Sequence, residues 1–375
     1  MTATFLPSLK HMTLAKIAIT ICKEPEISCS IYELDYLWDK NIREGRWKRL
    51  MEKAEEKVSK LHIPPRLQQN ILAVIKPISL EMAKFKHDHL YFLGNRFDFQ
   101  RCRLFWTHEG ILDRQKTIQV LIRDEHICII NRFILAICYF LETDAKNMLK
   151  HIDFSDFDLT NEQIFWISFA RKYSNWSEIA LQFGYYLVSD PALNCHLNSF
   201  YLRCFLDRLT PYNKKLCIEN TVKKTYRDHD NFRFCISQLN EEQRESVFKE
   251  NPLRLLRFLL DWPYQSLFSE AAEQMWKYLR GREFRYLLYF IIFNRIVADW
   301  YDFDYVNLLK DFWQQSPEHL KDYIERDSIY EPVQMVIAHD CTKPLPMKEI
   351  ILTSFHVAPP NGRIPVRECD LFPIH

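Results

Sequence analysis

Tyr305, Leu308, Leu309, Phe312 and Trp313 fall at i, i+3, i+4, i+7 and i+8, the spacing that lines up one face of an α-helix. Ile111, Ile118, Leu121 and Ile122 repeat the pattern more loosely, and strand-like alternation is scarce ahead of the C-terminal stretch. Helix starts are legible as well. Thr160 with Gln163, and Asn240 with Gln243, have the spacing of a capping box, in which the cap oxygen takes the N3 amide and the Gln reaches back. Thr210-Pro211 and Ser316-Pro317 place a cap residue before a proline suited to the first helical position. These four starts are separated by about 50, 30 and 76 residues, so the chain is not a fixed-period repeat array. The pattern predicts an all-α fold, an irregular α-solenoid of stacked helical hairpins, over residues 1–342.

A longer echo suggests that this body has two lobes, about 1–155 and 156–342. Asn131-Arg132 in IINRFILA is matched by Asn294-Arg295 in IFNRIVAD, and Asp144, Asn147, Leu149 and Lys150 by Asp304, Asn307, Leu309 and Lys310. The bland reading, common helix grammar, stays open beside duplication. Arg132 and Arg295 both sit in strongly apolar stretches, where a buried guanidinium needs a carboxylate. Structural salt bridges are therefore expected at both positions. Residues 343–375 hold six of the 17 prolines, which predicts an extended C-terminal tail rather than a regular helix.

Composition narrows the function classes. Six glycines in 375 residues disfavour phosphate-cradling loops and dinucleotide folds, which need glycine for close backbone approach. A net charge of +1 disfavours affinity built mainly on phosphate neutralisation. The two most apolar runs, Phe133 to Leu141 and Tyr286 to Phe293, are too short to span a bilayer, so no membrane role is expected. The N-terminal segment has no signal-peptide pattern. Eleven cysteines without a CxxC pair suggest reduced core thiols, at Cys128, Cys138, Cys204, Cys217 and Cys235 among others, and a cytoplasmic location.

No nucleophile elbow, HExxH helix, P-loop, EF-hand loop or DDxxD cluster occurs. Asp153, Asp156 and Asp158 come closest to a carboxylate cluster and are expected to serve the helix start at Thr160. The His-Asp doublet occurs three times, at His87-Asp88, His229-Asp230 and His339-Asp340, where chance predicts about one. Such doublets bring to mind HD-type metal-dependent phosphohydrolases, in which the metal activates water. His339 and Asp340 are the candidates, although solvated or capping roles are the expected reading of all three doublets. The first two are read as polar surface, with RDHDNF as a loop. Arg46-Trp47-Lys48-Arg49 is a possible basic contact strip, since arginine beside an aromatic can stack on single-stranded bases. Lys214 to Arg227 is a second, weaker one. The alternative is a solvated helix face carrying i,i+4 pairs.

The strings HEGILDRQKT (His108 to Thr117) and RFILAICYFLE (Arg132 to Glu142) resemble a lineage-expanded group of uncharacterised, all-helical arthropod proteins. The likeness extends over about residues 5–340 and implies a helical fold without implying an activity. Taken together, the expectation is a protein–protein interaction scaffold that holds a protein or peptide on a concave helical surface. No cofactor and no metal are expected. A nucleic-acid binder and an HD-type phosphohydrolase remain the alternatives.

Overall fold

The computed structural model describes residues 7–34, 40–93, 97–139, 141–153, 209–224, 229–340 and 344–354, with isolated positions 164, 167, 168 and 206. Among them are seventeen α-helices and no β-strand, only one isolated bridge between Trp106 and Leu112. No helix of the described residues is long and apolar enough to cross a membrane. The expected Thr160 helix start lies outside the described residues, as do Cys204, Asp156 and Asp158.

The N-terminal helices are arranged around one long element. α1 (Leu9–Cys22), α2 (Pro25–Tyr32), α3 (Lys40–Ser59) and α6 (Ile129–Cys138) all pack against α4 (Pro65–Leu93). Ile71, Val74, Ile75, Ile78, Met82 and Phe85 recur at helical spacing along α4 and are all buried. Lys57 of α3 pairs with Glu24 at 2.7 Å, and Lys53 donates to Ser30 Oγ at 2.8 Å, fastening α3 to α2. α5 (Arg114–Leu121) and α7 (Glu142–Leu149) close this half, with α7 packed on α6.

Beyond residue 209 come α8 (Pro211–Lys224), α9 (His229–Ser237), α10 (Glu241–Glu250) and α11 (Pro252–Leu259). They are followed by α12 (Phe268–Met275), α13 (Gly281–Ile291), a π-helical turn (Ile292–Ile296) and α14 (Tyr305–Gln315). α15 (Glu318–Glu325), α16 (Tyr330–Ile337) and α17 (Met347–Ser354) complete the order. From α11 to α16 the helices pack on the next but one: α11 on α13 and α13 on α15, α12 on α14 and α14 on α16; α17 packs on α16. Phe312 of α14 fills the space between, with ring centroids 5.0 Å from Phe268 and 5.1 Å from both Phe284 and Trp276.

Local signals act as their chemistry requires. Asn240 Oδ1 accepts from Gln243 N at 2.8 Å while Gln243 Oε1 accepts from Asn240 N at 3.0 Å, the complete capping box. Thr210 Oγ1 accepts from Asn213 N at 3.3 Å at the start of α8. Ser316 behaves differently: its hydroxyl donates back to Trp313 O at 2.7 Å, ending α14, and Pro317 stands at the N-cap of α15. RDHDNF is no loop at its doublet, because His229 and Asp230 open α9. Residues 343–375 were expected to be extended, yet Met347–Ser354 is helical and buries Ile350 in the C-terminal core. The physical reason is position. Pro344 and Pro346 precede the helix, where a missing N–H costs nothing, and the next proline is Pro359.

The buried apolar side chains form two clusters, one from the helices before residue 170 and one mainly from those after 205. The 105–113 loop joins them. Ile111 enters the C-terminal cluster, while Trp262 packs on the N-terminal one, stacks on His11 at 4.5 Å and donates to Gly110 O at 3.2 Å. Gly110 has φ 83°, and a Cβ there would lie 3.0 Å from Ala15 and 3.3 Å from Trp262, so conformation and space both call for glycine.

Gly281 is required by space alone. A Cβ would approach the Tyr323 ring to 2.5 Å, at the ring atoms nearest the backbone. Gly281→Ala is expected to destabilise the protein by about 1–2 kcal/mol through overpacking. In a urea-denaturation double-mutant cycle, Tyr323→Ala should remove most of that penalty; additive effects would contradict the steric account.

Candidate functional site

Among the described residues, a dense polar arrangement lies where the two cores meet. The π-helical turn after α13 inserts an extra residue into the helical register, and its Arg295 is 4% exposed. The guanidinium forms an ion pair with Asp261 and donates through Nε to Leu260 O at 3.2 Å. It also lies over the rings of Phe290 (4.6 Å), Trp300 (4.4 Å) and Tyr305 (5.9 Å). Asp261 takes a second arginine, Arg257, at 2.6 Å. Two guanidiniums sharing one carboxylate leave a local excess of positive charge.

That excess is met by Asp302. Gln265 Nε2 donates to its Oδ2 at 2.6 Å and the Tyr305 hydroxyl to its Oδ1 at 3.2 Å. Burial raises the Asp302 carboxyl to about 6, against the opposing pull of Arg295 and of the Tyr305 hydrogen bond. Burial, with Asp302 beside it, also pushes the Tyr305 phenol well above its ordinary value. From the N-terminal side, Lys76 of α4, 7% exposed, donates to Ala298 O at 2.8 Å and Asp299 O at 3.3 Å. Its ammonium lies 4.7 Å from the Trp300 ring centroid and 5.5 Å from that of Trp47. Burial lowers Lys76 to about 8, helped by Arg295 and opposed by Asp299 and Asp302. Each of these groups is held by protein partners, so the arrangement fastens the two halves together. It does not present a reactive atom to an open cavity.

The matching arginine differs. Arg132 is half-buried, makes no ion pair with a carboxylate of the described residues, and its Nε is buried without a hydrogen-bond partner. The salt bridge expected there is therefore corrected. α6 runs as ordinary α-helix through 132, so the side chain is not turned into the core as Arg295 is by the π turn. Asp304 and Asp144 differ too. Asp304 caps α14, accepting from Asn307 N at 3.0 Å, whereas Asp144 lies inside the first turn of α7.

The His-Asp doublets do not converge. Asp88 pairs with Arg114 at 2.6 Å; burial alone would raise its carboxyl, but Arg114 and Lys84 hold it below its ordinary value. This corrects the reading of the His87-Asp88 doublet as polar surface, since only His87 is exposed. The third residue, His89, is 2% exposed. Its Nδ1 lies 2.6 Å from Phe85 O, which can only accept, so Nδ1 carries the proton and Nε2 accepts from the Tyr139 hydroxyl at 2.6 Å. Burial lowers its pKa to about 4, with Arg114 acting in the same direction. His339 is half-buried beside an exposed Asp340, and the His339 carbonyl accepts from Lys310 Nζ at 2.7 Å. Among the described residues no group of three or more His, Cys, Asp or Glu is placed to hold a metal.

The basic strip is split by the helix period. Lys48 and Arg49 are exposed, Arg46 donates to Glu33 O, and Trp47 packs on the N-terminal core beside Lys76. Trp47 cannot take a nucleobase without leaving that core, which corrects its place in a contact strip. Cys128 is exposed rather than buried, while burial raises the thiols of Cys22, to about 12, and of Cys138. On the outer side of α15, His319, Asp322, Tyr323, Arg326 and Asp327 line an open depression of about 500 Å³.

Sequence reasoning missed Lys76, Asp302 and His89. Lys76 carried a usable signal, a lone cation inside the apolar run ILAVIKPI, comparable with the one that singled out Arg295. What these elements define is an all-α protein with two helical cores clasped by buried charges. Comparison with protein-family models, with curated proteins and with solved structures returned no match.

Proposed function

We propose that this chain is an intracellular interaction scaffold whose C-terminal helices stack as an irregular α-solenoid and bind a protein or peptide along that stack. One observation carries the reading. The packing of helices on the next but one, α11 to α13 to α15 and α12 to α14 to α16, is what a stack of helical hairpins would produce, and it supports the reading. Such stacking leaves a long outer surface on each layer, and the side chains that bear strongly shifted charges are spent on holding the layers and the two halves together. The depression on α15 offers Tyr323, 46% exposed, and Arg326 as an aromatic and cationic pair of the kind enriched where proteins meet. The buried, raised thiols fit a compartment in which cysteines stay reduced.

The reading is tested by selecting peptides on the purified protein from a display library. Selected peptides should bind at micromolar strength and lose at least about tenfold in affinity when Tyr323→Ala and Arg326→Glu are combined. Leu61→Ser, in the other half, should leave binding unchanged. Catalytic turnover by the purified protein, or peptides indifferent to every change on the α11–α16 stack, would overturn it.

A further inference from the structure

On the N-terminal half, two cations flank one aromatic ring and a third is bonded to the backbone of the residue before it. Arg103 Cζ lies 5.2 Å and Lys116 Nζ 5.1 Å from the centroid of the Phe105 ring. Lys23, from the end of α1, donates to the carbonyl of Leu104 at 3.2 Å, at the residue that precedes Phe105. All three side chains are exposed, and none makes an ion pair with a carboxylate of the described residues. Two acids of the surrounding segment are occupied: Asp113 caps α5 by accepting from Lys116 N at 2.9 Å, and Asp98 pairs with Arg101 at 3.1 Å. Partial burial of the ammonium, with Arg103 acting in the same direction, holds Lys23 below its ordinary value.

The backbone beneath is fixed. Phe105 N donates to Thr117 Oγ1 at 3.0 Å, Phe105 O accepts from Asp113 N at 2.8 Å, and Trp106 bridges to Leu112. The cations are thus presented from a braced loop rather than from flexible chain, which limits the ordering cost of binding.

We propose that Arg103 and Lys116 on the ring of Phe105, together with Lys23 on the neighbouring Leu104 carbonyl, form a docking patch for an acidic peptide segment of a partner protein. Carboxylates can engage the outward sides of the guanidinium and the two ammonium groups, forming charge-assisted hydrogen bonds. Nucleic acid fits less well. Three charges on a chain of net charge +1 release few counter-ions, and a ring already associated with two cations offers no free platform for a base. The patch lies apart from the α11–α16 stack and stands whether or not that stack binds anything.

The test is fluorescence anisotropy with a short labelled peptide of glutamate and aspartate, run beside its glutamine and asparagine counterpart and a single-stranded oligonucleotide of equal length. The acidic peptide should bind and the neutral one should not, with affinity falling as salt rises. Combining Lys23→Gln, Arg103→Gln and Lys116→Gln should weaken binding at least about tenfold with an unchanged circular dichroism spectrum. Arg103→Gln with Lys116→Gln alone, which spares the Lys23 bond to Leu104, should still cost about fivefold. Absence of peptide binding, equal affinity in the variants, or tighter binding of the oligonucleotide through the same three residues would overturn the proposal.

Discussion

Arg295→Met is expected to lower the unfolding free energy by about 3 kcal/mol or more, whereas Arg132→Met should change it by less than about 1 kcal/mol. The two arginines occupy matching Asn-Arg dipeptides in apolar helices, so the contrast isolates tertiary context. Removing Arg295 takes the closer of two donors from the Leu260 carbonyl and one of two cations from Asp261, and it leaves the raised carboxyl of Asp302 without its strongest compensating charge. Removing Arg132 breaks no ion pair and deletes a buried Nε that has no hydrogen-bond partner. Urea denaturation followed by tryptophan fluorescence reads both, and Trp300 beside Arg295 supplies a local probe. Equal losses from the two substitutions would show that the clasp at the π turn adds nothing to stability.

The second large effect lies in the pH dependence. His89 has a native pKa lowered to about 4, so between about pH 4 and its ordinary 6.5 the unfolded chain binds a proton that the native protein refuses. Its contribution to stability is complete above 6.5 and is lost as pH falls through that window, by about 3 kcal/mol. Asp302 acts in the opposite sense. Its native pKa is raised from 3.8 to about 6, so in that range the native protein holds a proton that the unfolded chain has released, and stability declines as pH rises. Asp302 is half-buried, though both its oxygens are bonded inside, and its share is nearer to about 2 kcal/mol. The wild-type curve should therefore be shallow between about pH 4 and 6. Asp302→Asn should expose the His89 slope, with stability rising with pH, and His89→Gln should expose the reverse. Denaturation midpoints at several pH values decide this; variants whose curves stay parallel to the wild type would refute the assignment.

What could be read without coordinates follows from the range of each interaction. The face of α14 and the capping box of α10 are written within nine and four residues respectively, and the helix signals act over one to about two turns. The C-terminal helix was misread because prolines were weighed by number rather than by position. The 347–354 stretch lies between them, and its first turn needs no donor from Pro346. Trp47 was misread because a run of four residues around a helix points in different directions, so one member was bound to face the core.

Of the candidate site, Arg295 was legible as a buried cation in need of a partner, while its partner Asp261 was not. The difference is separation: the ion pair spans 34 residues, and Lys76 reaches carbonyls 222 and 223 residues away. By itself, the sequence determined the all-helical class, the periodicity that buries one face of each helix, and the points at which several helices begin. These depend on backbone geometry and on neighbours within a turn. Only the tertiary structure decided which buried charges meet, that Arg295 is paired while Arg132 is not, and that two surface cations share one ring with a third close by in the fold. Those outcomes depend on how two cores are set against each other, and burial gives each such meeting its energetic weight by removing the water that would otherwise screen it.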